Sequence, residues 1–498
     1  MVFQISIKMK KILLLLYAGL IISASLLFVQ TGCMKMDNMT TASSVLVTEG
    51  GFDIPLSIPT ILNPSNLILE AKKSPIVFLK EKTTMNALLY NGSIPIIRAN
   101  KGDLVNINLK NSLSESSNIH WHGMITPSNM DGHPKDIAVA GSSRNYTFPI
   151  VQRAGTLWFH PHPHRATAQQ VYMGLAGMFI VNDAEEAALH LPSGEREVPL
   201  IISDKRFNND ASLNYSPTMM DIMTGYMGDR VLINGTSSPF LEVKTRIYRF
   251  RALNGSNARI YDLALSNGAS FTIIGSDGGL LAKPETVTHL VLAPGERADI
   301  LIDFSEMALN SQVFLQSNVN SITNQGATTF KMLKFKVMQT ETENFILPQI
   351  LSNITPLTIS QAKQTRTFKL PTTMMGSGMT MNGDMSGTHT INGKTFSMDT
   401  IDETVAAGAT EIWEFDGSQS TEPHAMHIHA VQFQVLSRTG GSGMVQPSEK
   451  GWKDTVLVGV GEKMKVIMTF PNLKGLFLVH CHNLEHEDNG MMLNFEIQ

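Results

Sequence analysis

The chain has 498 residues, of which 16% are charged and 43% hydrophobic. That excludes a disordered polyelectrolyte and leaves apolar material for three or four ordinary domains. With 39 basic against 43 acidic side chains it lacks the basic excess of a nucleic-acid binder, and its two cysteines cannot build a disulfide framework or a four-cysteine zinc ribbon. The unusual counts are 29 Met and 15 His, a soft and a borderline metal ligand.

The first element is an address. Lys8, Lys10 and Lys11 precede an apolar run from Ile12 to Val29, which reads as a secretory signal over residues 1–33. The run is also just long enough to span a bilayer. Cys33 follows Thr31-Gly32, as at a bacterial lipoprotein cleavage site, although Gln30 stands where an aliphatic residue is usual. Three outcomes stay open: lipidation of Cys33, ordinary cleavage, or an uncleaved anchor. Each places the rest of the chain outside the cytoplasm, in a bacterial periplasm or membrane-attached and facing outward. Residues 34–44 read as a polar tether.

The body reads as all-β. Short apolar stretches such as Asp103–Leu109 and Val291–Phe304 recur between Gly, Pro and Asn, and their period of two predicts strands in sandwiches. One short helix is predicted over Asp183–Leu191. Gly155-Thr-Leu-Trp-Phe-His-Pro-His162 matches Gly475-Leu-Phe-Leu-Val-His-Cys-His482 in spacing, and Gly295-Glu-Arg297 leads to Phe304 as Gly461-Glu-Lys463 leads to Phe470. These echoes predict three related sandwiches over 45–187, 188–342 and 343–498. A methionine-rich loop, 374–385, lies at the start of the third and carries Met374, Met375, Met379, Met381, Asp384 and Met385.

Ten histidines fall in four clusters: His120-Trp-His122, His160-Pro-His162, His424-Ala-Met-His427-Ile-His429 and His480-Cys-His482 with His486. On a strand, residues i and i+2 share a face, so each His-x-His pair aims two imidazoles into one space. Four pairs suffice for three metal ions. Cys481 then points the opposite way and can join His424 and His486 around a separate ion, with Met491 as a weak soft ligand. Two His, one thiolate and an axial Met make a blue-copper electron-transfer set.

These motifs, in this order and along the whole mature chain, resemble those of the multicopper oxidases, and most of all the bacterial periplasmic copper-efflux oxidases. Trp158-Phe-His-Pro-His162, Met173-Gly-Leu-Ala-Gly177, Gly451-Trp-Lys-Asp-Thr455 and Leu484-Glu-His-Glu-Asp488 carry the likeness further. The resemblance implies three cupredoxin-like Greek-key domains and four copper ions. Type 1 copper would take His424, Cys481, His486 and Met491; type 2 would take His120 and His427. One type 3 ion would take His122, His160 and His482, its partner His162, His429 and His480. The first and third domains would hold the centre and the middle one only space them. Asp131 and Glu487 match acids that relay protons in this family.

The activity so implied is oxidation of a reduced metal ion, Cu(I) or Fe(II), coupled to reduction of O2 to water, in metal detoxification. Phenols are a further substrate class. The alternatives are a laccase acting on phenols and a non-catalytic copper store or scaffold. The chain is expected to work as a monomer. The methionine loop is expected to collect Cu(I), since thioethers suit that ion, though they also serve as gap fillers. Two departures stand out. Ala425 replaces a usual proline. Ser420, four residues before His424, replaces the acid that binds the substrate ion in several metal-oxidising members, and Asp416 and Glu422 are the nearby acids expected to take its place. Asp454 is expected either to support the type 1 ligands or to shape a turn.

Overall fold

The computed structural model describes residues 46–319, 328–371 and 389–498. The signal segment with Cys33, the tether and all six named residues of the methionine loop lie outside the described residues.

Six sheets pair into three sandwiches. In the first, strands Lys82–Tyr90, Leu67–Leu79, Leu104–Asn111 and Ser143–Pro149 lie side by side. The opposed sheet holds Ile61–Leu62, Ile96–Asn100, Gly177–Asn182 and Gly155–Phe159. Both sheets mix parallel and antiparallel neighbours, so the chain crosses between them rather than meandering. Leu104–Asn111 shows the predicted alternation: Val105, Ile107 and Leu109 are buried among Leu69, Trp121 and Phe148, while Leu104 and Lys110 face out.

The second sandwich packs a six-stranded sheet on a seven-stranded one around Phe250, Ile300 and Phe335. Here the expected alternation fails. Arg297–Asp303 is buried at every position but the last, because Leu301 packs with Leu191, Leu280 and Leu351 on the outer face. A strand covered on both faces has no polar side to show. Ile54–Pro55 pairs with Pro239–Phe240, and Leu56 enters this second core although it precedes the first sandwich in sequence.

The third sandwich opposes Gln364–Lys369, Thr410–Asp416, Lys463–Thr469 and Phe433–Thr439 to a five-stranded sheet whose neighbours include His424–Ile428 and Gly475–Cys481. Helices among the described residues are short. Thr167–Tyr172 and Met219–Thr224 have six residues each. The predicted helix near 183 spans Ala184–Ala187, with the Asp183 carboxylate accepting from Glu186 N at 2.8 Å as its cap. No helix among the described residues is long and apolar enough to cross a membrane.

Candidate metal centres

Strand register sorts the histidines. His424–Ile428 pairs antiparallel with Gly475–Cys481 so that Met426 faces Cys481 and His427 faces His480. Facing residues share a side of the sheet, and so do residues two apart. His424, Met426 and Cys481 therefore lie on one side, His427 and His480 on the other. In the first sandwich His120 and His160 pair as a bridge, His120 N donating to His160 O at 2.8 Å, which sets the two remaining motifs side by side.

Three His triads result, His122/His160/His482, His162/His429/His480 and His120/His122/His427, each with one nitrogen per ring within 4.8 Å of the others. All eight rings are buried. Their hydrogen-bond partners fix most tautomers. A carbonyl oxygen can only accept, so His120 Nδ1 donates to Asp131 O and His427 Nδ1 to Asp454 O, each at 2.8 Å. Their Nε2 atoms then carry bare lone pairs, and they face each other at 3.3 Å. Likewise His429 Nδ1 donates to Asp131 Oδ2 at 2.6 Å and His480 Nδ1 to Cys481 O at 3.1 Å, leaving the two Nε2 atoms 3.1 Å apart. Opposed lone pairs repel unless a cation draws them in. For the first pair a proton does not serve: burial holds His120 and His427 well below the ordinary imidazole pKa. His122 donates Nε2–H to Asp454 Oδ1 at 3.0 Å, and its Nδ1 is buried without a partner. His160 Nε2 and both ring nitrogens of His482 are likewise buried and unpaired. Buried polar atoms seldom go unpaired, and these could hold metal ions.

On the other side of the sheet Cys481 Sγ lies 3.6 Å from His424 Nδ1 and 3.7 Å from His486 Nδ1. Metal–sulfur and metal–nitrogen bonds of about 2.3 and 2.0 Å, meeting at a tetrahedral angle, leave ligand atoms about 3.5 Å apart. His486 Nε2 donates to Met223 O at 3.0 Å, and His424 Nε2 meets Ser420 Oγ at 2.8 Å. Both imidazoles thus turn Nδ1 to the sulfur. Burial pushes the Cys481 thiol up to about 12, so a thiolate here needs a bound cation. Met491 is buried, its N–H donates to His486 O, and its carbonyl accepts from Cys481 N, each at 3.0 Å. A thiolate with two imidazoles fits copper, as do the imidazole triads.

Family models described as Multicopper oxidase match residues 71–186, 198–334 and 366–498. The Multicopper oxidase mco of Staphylococcus aureus is 36% identical over 451 residues, 88% of this chain and 91% of that one. The chain belongs to the multicopper oxidases. It is an oxidoreductase of three cupredoxin-fold domains. Among solved structures, the McoA multicopper oxidase of the hyperthermophile Aquifex aeolicus aligns at a TM-score of 0.82 with 34% identity, covering 91% of this chain and 100% of its own. The multicopper oxidase of Campylobacter jejuni, described as a metallo-oxidase, aligns at 0.80 with 31% identity, covering 92% and 99%.

The acids of this oxidase fall in three places. Asp131 is fully buried with Oδ2 on His429 and Oδ1 unpaired. Burial, then the charge of Asp136, raises its pKa well above the usual carboxylate range. Glu487 lies with Oε2 3.1 Å from His480 Nδ1 and Oε1 3.5 Å from His162 Nε2. Glu422, half-buried, adjoins the Cys481 site, its N–H donating to the Ser420 hydroxyl that meets His424. Burial pushes its carboxyl up to about 7. Asp416 instead pairs with Lys463 at 2.8 Å and accepts from Ser418 N.

Several contacts escaped sequence reasoning. Asp454 does not support the Cys481 site; it holds His122 and His427 on the opposite side of the sheet. His389 stacks on His486 with ring centroids 4.0 Å apart. The middle sandwich does more than space its neighbours. Met223 O caps His486, and Gly295 stands so close to the histidines that an added Cβ would lie 3.0 Å from His482 Cγ. The repeat Gly295-Glu-Arg297 was visible in sequence, but its contacts with other domains were not.

Proposed function

We propose that this oxidase couples four one-electron oxidations of a reduced metal ion, Cu(I) or Fe(II), to reduction of O2 to two waters, outside the cytoplasm and in metal detoxification. His424, Cys481, His486 and Met491 would hold type 1 copper. His120 and His427 would hold type 2 copper, and the triads His122/His160/His482 and His162/His429/His480 the two type 3 ions. Copper supplies the one-electron redox change at the first site and the reduction of O2 at the cluster. The observation that carries the reading is covalent: Cys481 lies between His480 and His482, so the two centres are joined through one strand. Asp131 and Glu487, beside the cluster, would relay the protons, of which each water formed needs two.

A metal-ion substrate is supported by half-buried Glu422, whose backbone N–H donates to the Ser420 hydroxyl that meets His424. The Campylobacter structure's description as a metallo-oxidase agrees with it. The methionine loop would deliver Cu(I). Secretion follows from residues 1–33, with Cys33 as the lipid attachment point or the run Ile12–Val29 as anchor.

The test is oxygen uptake by the copper-loaded protein with Cu(I), Fe(II) and a simple phenol. Dominant turnover of one metal ion is expected, together with a higher KM for Cu(I) on deleting 374–385. Uptake with phenols alone would make the protein a laccase. No uptake from fully loaded protein would make it a store or scaffold. Cys481→Ser should abolish the intense blue absorption; undiminished colour would refute the type 1 assignment.

A further inference from the structure

Arg297 belongs to the sandwich that contributes no His-x-His pair, yet it is completely buried. Its five N–H groups are all accounted for. Nε donates to Thr156 O at 3.0 Å in the first sandwich. Nη1 donates to Gly295 O at 2.9 Å and Nη2 to Asp277 O at 3.1 Å in the second. The remaining two form a fork on Asp454 of the third, Nη1 to Oδ1 at 2.7 Å and Nη2 to Oδ2 at 2.5 Å. One guanidinium therefore ties three domains together where they meet.

What it grips matters. Asp454 Oδ1 accepts from His122 Nε2, with Thr455 Oγ1 also 3.0 Å from that nitrogen, and Asp454 O accepts from His427 Nδ1. Two metal-facing imidazoles from different domains take their tautomer and orientation from this one residue. Asp454 and Thr455 are fixed in turn by Asp277 Oδ2, which accepts from both backbone N–H groups at 3.3 Å and from Lys453 Nζ at 3.0 Å. The matching position of the internal repeat is used differently. Lys463 pairs with Asp416 with 42% of its side chain exposed, a surface ion pair of small worth. Only a planar fork of five donors satisfies the contacts found at Arg297; an ammonium has three donors and no plane.

We infer that Arg297 is a positioning residue for the oxygen-reducing centre: by clamping Asp454 it sets His122 and His427 for metal, so that the middle domain takes part in building the cluster. The inference rests on the reading of that cluster as a copper site. Outer partners of metal-ligating histidines fix ring orientation, and removing them weakens metal binding about 10–100-fold.

The test is Arg297→Lys, which keeps the charge and loses the fork. Copper is titrated into metal-free wild type and variant, with the blue absorption reporting the Cys481 site and the type 2 electron paramagnetic resonance signal the His120/His427 site. The expected result is unchanged blue absorption, about 10–100-fold weaker loading of the cluster and an altered type 2 signal. An unchanged type 2 signal with full loading overturns the inference, even if thermal stability falls, since that is what a merely structural tie would give. Should R297K fail to fold, Asp454→Asn, of the same size, reads the same link: unchanged cluster loading there overturns it equally. A wild type that loads the Cys481 site but never the histidine cluster would instead refute the copper reading itself.

Discussion

Gly132 has φ +88, and an added Cβ would lie 2.2 Å from Ile119 O. No other residue fits, so the Asp131-Gly132 turn is a structural necessity as well as the device that presents Asp131 to His429. A turn role and a site role for Asp131 coincide. Burial raises its pKa well above the usual carboxylate range, and a carboxyl so placed can keep a proton that an exposed one would give up. Asp131→Asn keeps an oxygen acceptor for His429 Nδ1 but cannot carry a proton. Copper content should stay complete while the rate of O2 reduction falls about 100-fold, measured by copper analysis and steady-state oxygen uptake. Normal turnover would remove Asp131 from the mechanism. Gly132→Ala should act on fold and site together, with strain of about 1–3 kcal/mol seen in the unfolding midpoint.

At the scale of elements, the parity of two strands divides the proposed metal ligands between two centres, and that parity was legible. His480, Cys481 and His482 alternate in sequence, so the opposed direction of Cys481 needed no coordinates. The three sandwiches were legible for the same reason, through period-two strands and the echo of Gly155–His162 in Gly475–His482. What sequence spacing could not show is contact between elements far apart in the chain. Asp454 lies 332 residues from His122, and nothing in a local pattern links them. Turn Ala293–Glu296 is a second case: it reads as an ordinary Pro-Gly corner, yet it walls the cluster. Gly295 has φ +82, and a Cβ there would come 3.0 Å from His482 and 3.2 Å from His122 Cε1. Gly295→Ala should therefore disturb the type 3 pair while sparing the blue absorption, read as loss of the near-ultraviolet type 3 band at constant blue intensity. Equal loss of both would mean that the turn supports the fold alone.

For the whole molecule, the burial that readies these imidazoles for metal makes the metal-free protein sensitive to acid. Burial lowers His160 and His424 to about 3, and His133 and His389 to about 4, against an ordinary 6.5. Between those values and 6.5 the unfolded chain binds protons that the folded one refuses, so folding stability rises with pH across that window and is lost as pH falls through it. Each such group contributes about 1.4 kcal/mol per pH unit, offset in part by Glu422 and Glu485, whose carboxyls burial raises to about 7. A domain's net stability is about 5–15 kcal/mol. The metal-free protein should then lose stability as pH falls below 6.5, seen as a falling denaturant midpoint. Copper competes with protons for the lone pairs of His160 and His424, so loading should move the acid transition to lower pH and make it depend on copper concentration. Coincident acid transitions for the metal-free and loaded proteins would mean that the buried imidazoles are not where copper binds.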